Sequence, residues 1–288
     1  MELIVFERAD FAHVSLVGRL DATGVDEIEQ RFSEVATDRN LPTLVDMSGV
    51  TFMSSLGIGF LFANTKILKK SGCKLVLVKP QEMVESVLRT SKMDKVMPIA
   101  ADMAEALKLL GIEALDLIPG PASASTTASA ELAAGTVSTV PGIRVSIKND
   151  TSELPSLYAK VAEFLEAHAT PYRSGYTVNL ALEELVVNVI RYAYMDFDEH
   201  LIAIDLSLRD EHLVLVIEDD GRPFDPREGN RQLDYADDPD DVEVGGLGLV
   251  LVLDMVDVLK YARVQDKNRT EVHIKLREAE VPIESDAT

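Results

Sequence analysis

Three short segments in the last third of the chain carry residue types suited to a phosphorylated ligand. Glu184-Leu-Val-Val-Asn188 sets a carboxylate and a carboxamide one helical turn apart, and Arg191 follows at i+7 on the same side. Asparagine offers a hard oxygen to Mg²⁺, which takes few protein ligands beside phosphate oxygens and water. A glutamate one turn earlier has the reach to orient or deprotonate an attacking hydroxyl. Asp219-Asp-Gly-Arg-Pro-Phe-Asp-Pro226 closes a strand with a carboxylate able to accept from the exocyclic amine of adenine. Gly245-Gly-Leu-Gly-Leu249 is a glycine run that opens a helix, where backbone amides and the positive dipole end favour phosphate. Each segment alone has an ordinary structural explanation: the edge of an amphipathic helix, an acidic turn, a flexible hinge. Their order along the chain makes them a set.

A second constellation lies near the start. Val45 to Gly59 joins a buried strand to a helix, and Ser54 and Ser55 fall where that helix begins. Serine is a preferred N-cap without any further role. The same position also stabilises an added phosphoryl group, which would bring nearly two charges to the surface.

The elements that position these residues are legible from periodicity. Strands are predicted at Leu3–Phe6, Ala12–Gly18, Thr43–Asp46 and Leu75–Val78, and helices at Asp26–Ala36, Ser55–Lys70, Gln81–Arg89 and Met103–Leu110. On the Ser55–Lys70 helix, Leu56, Gly59, Phe60, Ala63 and Ile67 form the expected apolar stripe. Further on, strands are predicted at Gly142–Ile147, Leu201–Leu208, Leu213–Glu218, Val258–Val264 and Glu271–Leu276. Helices are predicted at Glu153–Ala167, Tyr176–Tyr194 and Leu247–Val256. Alternating strands and helices imply an α/β protein. Residues 119–140 are rich in Pro, Ala, Ser, Thr and Gly and nearly uncharged, the composition of a linker with a reach of about 25 Å.

Composition limits the partners. The 288 residues suffice for two domains, and an apolar fraction of 47% supports two cores. The net charge of −21 disfavours nucleic acid and anionic membranes, which need basic surface. With 13 basic and 17 acidic residues before position 119 and 15 and 32 after it, the halves carry −4 and −17. No apolar run reaches membrane-spanning length, the first residues lack a signal-peptide pattern, and Cys73 is the single cysteine. A cytoplasmic protein in a reducing compartment is the expectation.

Residues 141–278 resemble the GHKL (Bergerat) ATP-binding domain of histidine kinases, type II topoisomerases and Hsp90-type chaperones. The Asp219-to-Pro226 segment narrows the resemblance to the serine-kinase anti-sigma factors of bacterial partner switching. Histidine kinases usually carry a second glycine where this chain has Pro223 and lack the Phe-Asp-Pro that follows. The resemblance implies a two-layer α/β sandwich that takes ATP and Mg²⁺. Glu184 would be catalytic and Asn188 the Mg²⁺ ligand. Asp219, Gly221 and Thr270 would lie at the adenine, Gly245, Gly246, Gly248 and Leu249 at the phosphates, and residues 227–244 would form a lid.

Residues 1–112 resemble the anti-sigma factor antagonist module, the STAS domain, with its mixed sheet and helices. Phe52-Met-Ser-Ser-Leu-Gly-Ile-Gly59 lies over the phosphoacceptor signature, in a register that makes Ser55 the acceptor. Ser54 and Leu56 depart from the commonest pattern, so Ser54 stays an alternative acceptor. Residues 113–140 would then link the modules and 279–288 form a tail. The resemblances imply a STAS partner (its own or a separate one), a sigma factor or other regulator, a PP2C-type phosphatase and a homodimer formed through the kinase half. Transfer within one chain and transfer between chains both remain open, as does a non-catalytic nucleotide-binding scaffold.

Overall fold

The computed structural model describes residues 1–6, 8, 10–112, 141–228 and 246–277. The predicted linker 113–140, the tail 279–288, Gly245 and all but the first two residues of the predicted lid lie outside the described residues. Among the described residues, no helix is long and apolar enough to cross a membrane.

The N-terminal module is a five-stranded sheet, β1 (Glu2–Phe6), β2 (Ala12–Leu20), β3 (Thr43–Met53), β4 (Leu75–Val78) and β5 (Ile99–Ala100), in that spatial order. β1 and β2 are antiparallel, and the other pairs are parallel. Alternation along the central strands supplies both faces. Val45, Leu75 and Leu77 point into one cluster with α1 (Ala22–Phe32), α2 (Ser55–Lys70) and α3 (Glu82–Thr90). Leu44, Val76 and Val78 meet α4 (Met103–Leu110) on the other.

Two expectations need correction here. β3 does not stop at Asp46 but runs on to Met53, because its pairing with β2 shifts register between Ser15 and Val17 and absorbs Met47 and Ser48. That extension carries the chain to the sheet edge where Ser54 and Ser55 begin α2. The α2 stripe is also rotated from its expected position. Of the expected stripe, Phe60 is buried in the core, while Ala63 and Ile67 are exposed and Leu56 and Gly59 half-buried; Gly57, Ile58, Leu61, Phe62 and Leu68 supply the rest of the buried side of α2. The helix is apolar on two adjacent sides, so period alone does not select the buried one. Gly57 does: a Cβ there would stand 2.2 Å from the Leu20 carbonyl oxygen, so only this face approaches β2 closely.

The C-terminal module contains β6 (Gly142–Lys148), α5 (Leu154–Ala167), α6 (Tyr172–Tyr192), β7 (Leu201–Arg209), β8 (His212–Asp219), α7 (Leu247–Met255), β9 (Val258–Val264) and β10 (Lys267–Lys275). Its sheet is wholly antiparallel in the order β6-β7-β8-β10-β9. The three helices contribute to a core against one face. Ion pairs such as Arg144–Asp205 and Arg269–Glu218 join neighbouring strands. Gln265 and Asp266, both left-handed, make the tight turn between β9 and β10.

Two helices are covered from both sides. On α7, Leu249 and Val252 join the C-terminal core, whereas Leu247 and Leu251 join the N-terminal one. On α6, Val178, Leu182 and Val186 face the C-terminal core while Tyr176 and Leu180 pack into the N-terminal cluster. A helix apolar all round needs such double cover. Each fully buried leucine contributes about 1.5–3 kcal/mol relative to exposure. The modules are therefore docked through hydrophobic contact.

Candidate active site between the two modules

α6 begins at Tyr172, four residues before its predicted start, with Pro171 as N-cap, and passes through Gly175 without a break. Its buried middle carries Glu184 to the boundary between the modules. Glu184 Oε2 accepts from the Ser55 hydroxyl at 2.6 Å, and its Oε1 accepts from the Ser55 amide at 2.7 Å. Burial pushes the Glu184 carboxyl above its usual range, while the two Ser55 hydrogen bonds and nearby Arg191 draw it back down. A carboxyl raised in this way and seated on a hydroxyl is suited to accept its proton.

Ser55 is the first residue of α2, and its N–H is one of the amides that helix geometry leaves without an internal partner. The N-cap Ser54 makes no side-chain cap bond, and Glu184 supplies the acceptor instead. Ser54 itself is fully buried, its hydroxyl without a partner among the described residues. Ser55, not Ser54, therefore faces the carboxylate.

α7 closes the other side. Gly246 is its N-cap in the left-handed region, with φ 88°, and no side chain caps the helix. Gly248 passes so close that a Cβ there would stand 1.9 Å from Glu184 Oε2 and 2.9 Å from Ser55 Oγ. Gly246, Gly248, Leu249, Asn188, Asp219 and Thr270 line one cavity of 1240 Å³, which Ser55 and Glu184 also line. Its first-module wall includes Leu56, Gly59, Ala63 and Ile67, four of the five residues of the expected apolar stripe.

Asp219 ends β8 and is buried. Its Oδ1 accepts from Asn268 Nδ2 at 2.7 Å and from the Gly221 amide at 2.9 Å, while Oδ2 takes no hydrogen bond among the described residues. Burial raises this carboxyl, and the bonds from Asn268 and Gly221 oppose the rise. Asn268 is held in turn by Tyr261 at 2.8 Å and Arg263 at 2.9 Å. Gly221 is thus part of the Asp219 turn, and its carbonyl accepts from Arg263 at 2.7 Å.

The family model of the histidine kinase-like ATPase domain matches residues 147–276, and that of the STAS domain matches residues 4–106. The chain carries both domains. The STAS half is similar to a putative anti-sigma factor antagonist of Thermotoga maritima, at 21% identity over 38% of this chain and 94% of that one, TM-score 0.35. It is also similar to the Bacillus cell fate determinant SpoIIAA in its phosphorylated form, at 20% identity over 38% and 98%, TM-score 0.31. A further similarity, at 15% identity over 48% of this chain, is to a structure of the RsbU and RsbW domains of a Mycobacterium tuberculosis protein. That match spans 34% of the other chain, with TM-score 0.35.

The donor set of the ATPase half fits a magnesium-bound triphosphate. It offers a carboxamide oxygen at Asn188, the uncapped N-terminus of α7, and a free Asp219 oxygen, all lining the same cavity. Sequence reasoning missed Tyr172, Tyr176, Glu183 and Asn268. Tyr176 Oη exchanges hydrogen bonds with Met53 N and O, both at 3.1 Å, and Tyr172 Oη donates to Thr51 O at 3.1 Å. Glu183 Oε1 accepts from the Ala22 amide at 3.0 Å. One signal was available: Tyr176, Leu180, Glu183 and Val187 form a second stripe at helical spacing, broken by an acid.

Proposed function

We propose that the protein is a partner-switching regulator whose ATPase half is a serine kinase and whose own STAS half supplies the acceptor, Ser55. The observation that carries this reading is the 2.6 Å contact between Ser55 Oγ and Glu184 Oε2, formed within one chain. Ser55 Oγ attacks the γ-phosphorus of ATP, its proton passes to Glu184, and the bond to the β–γ bridging oxygen breaks to release ADP. Glu184 also holds the Ser55 amide, which fixes the direction of the hydroxyl. Asn188 would hold Mg²⁺, which when bound would neutralise charge developing on the phosphates. The amides of Gly246 and Gly248 would cradle the phosphates and Asp219 would take the adenine amine, with Leu249 and Thr270 lining the same pocket.

Transfer in cis is favoured because the STAS half already covers the site, and a separate antagonist would have to displace it. Tethering gives an effective concentration in the millimolar range for short flexible linkers. Phosphorylation would place a dianion beside Glu184, weaken the docked state, and release the STAS half toward a sigma factor or other regulator until a PP2C-type phosphatase resets it.

Incubation with Mg-ATP followed by phosphopeptide mapping tests the reading. Phosphate is expected on Ser55 and not Ser54, at a rate independent of protein concentration, and is expected to vanish in Glu184→Ala. ATP binding without any phosphoserine would leave a nucleotide-binding scaffold in place of a kinase.

A further inference from the structure

Glu183 and Glu184 are neighbours on α6, yet they serve two different helices of the STAS half. Ala22 is the first residue of α1 and Ser55 the first of α2. Asp21, the α1 N-cap, spends its Oδ1 on the Gly24 amide at 3.0 Å, and Glu183 takes the Ala22 amide. Glu184 takes the Ser55 amide. Two helix N-termini of one domain are thus capped by consecutive carboxylates of the other. Each contact satisfies an amide that helix geometry leaves without an internal partner.

Tyr176 completes the strip. Its hydroxyl both donates to Met53 O and accepts from Met53 N, the pattern a neighbouring strand would make with the last residue of β3. Its ring packs on Phe52 with centroids 5.0 Å apart. Among the hydrogen bonds made by Tyr172, Tyr176, Glu183 and Glu184 to the STAS half, every one ends on a main-chain atom except that from the Ser55 hydroxyl. The Glu183 carboxyl is buried and its Oε2 has no partner among the described residues. Leaving that buried oxygen unpaired costs free energy that the rest of the docked contact must offset.

We propose that Glu183 and Tyr176 are the positioning residues for the transfer. They hold the start of α1 and the end of β3 by their main chains, so that Ser55 alone is presented to Glu184. The inference rests on the kinase reading for its consequence, and on the docked geometry for its substance. It makes substrate choice a matter of backbone shape at two adjoining turns rather than of a side-chain motif around the acceptor.

The test uses the full chain and three variants: Tyr176→Phe, which keeps the ring and removes the hydroxyl; Glu183→Ala; and Glu183→Gln, which keeps an acceptor. Hydrogen exchange at the Ala22, Met53 and Ser55 amides reports docking without reference to catalysis. ATP affinity by calorimetry and the rate of Ser55 phosphorylation at saturating Mg-ATP report the nucleotide site and transfer. Glu183→Ala and Tyr176→Phe are expected to expose the three amides and slow transfer at least about tenfold, with ATP affinity within about twofold of the parent. Glu183→Gln is expected to restore most of both docking and transfer. Unchanged protection and unchanged transfer in Glu183→Ala and Tyr176→Phe would overturn the proposal. So would unprotected amides in the parent chain, even if it phosphorylates serine efficiently. Protected amides that open in the variants, in a parent that transfers no phosphate, would uphold the docking strip and sink only the kinase reading.

Discussion

Gly248 and Glu184 stand so close that the first atom of any side chain at position 248 would overlap the carboxylate, at 1.9 Å from Oε2 and 2.6 Å from Cδ. The glycine therefore has a task beyond letting amides approach phosphate. It leaves room for Glu184 to remain on Ser55. Glu184 is buried and held by two hydrogen bonds, so an added methyl group must push the carboxylate off the serine rather than into solvent.

Gly248→Ala should consequently damage transfer more than it damages nucleotide binding. A displacement of about 1 Å at a reacting group costs on the order of a hundredfold in rate. Single-turnover phosphorylation of Ser55, compared with ATP affinity by calorimetry, separates the two effects. Equal losses in both would show that the residue serves the phosphates alone.

Docking should depend on pH through Glu183. Burial above all raises its carboxyl from 4.5 to about 8 in the docked state, with Asp21 and Glu184 adding to the rise and Arg19 and the Ala22 amide opposing it. A raised carboxyl means the docked form holds a proton that the separated form has lost. Docking from this group is thus fullest below pH 4.5, weakens as pH climbs toward about 8, and levels off above. One proton corresponds to a change of up to about tenfold per pH unit within that window. Glu184 shifts in the same direction, so Glu183→Gln should remove one proton from the slope without flattening it completely. Amide exchange at Ala22 across pH 5–9, corrected for intrinsic rates, measures this. A slope identical in parent and variant would exclude Glu183 as the group responsible.

Asn268 should govern adenine selectivity although it is a neighbour of the contact and not the contact. It fixes Asp219 through a 2.7 Å bond and spans to Arg222 O at 3.0 Å, which leaves Asp219 Oδ2 as the free acceptor. Asn268→Ala frees the carboxylate to turn and removes a bond that holds its pKa down. ATP affinity is expected to fall about tenfold, and preference for ATP over inosine triphosphate, which lacks the exocyclic amine, should narrow with it. An ATP-to-inosine ratio unaffected by the substitution would place adenine recognition elsewhere.

How far the sequence discloses this site follows from what each residue contributes. Glu184, Asn188, Asp219, Gly246 and Gly248 were legible because each belongs to a local motif with a chemical rationale, Thr270 came only through the family resemblance, and the fold gathers all six into one cavity. Tyr172, Tyr176 and Glu183 were not, because their partners lie more than a hundred residues away and consist of main-chain atoms that leave no trace in side-chain pattern. The α2 stripe failed for a related reason. Leu56, Gly59 and Ile67 have core composition, but they line the cavity between the domains rather than the sheet. The clearest unread signal was α7, whose Leu-Gly-Leu-Val-Leu-Val-Leu run is apolar on every side and implies cover from a second domain.

That double cover leads to a prediction about cooperativity. Leu251 is fully buried in the core shared with the STAS half, whereas Val252, the next residue, is buried in the ATPase core. Heat unfolding of the parent should show one transition, because losing either domain strips cover from α7. Leu251→Ala leaves the ATPase core intact and opens a cavity at the boundary, at a cost of about 2–5 kcal/mol for a truncation of this kind. Because that cost falls on the docked state and not on either core alone, scanning calorimetry should resolve two transitions in the variant. Val252→Ala, one residue away, should lower a single transition without splitting it. Two transitions in the parent itself would mean the domains melt independently, and the hydrophobic contact through α7 would then contribute nothing to their coupling.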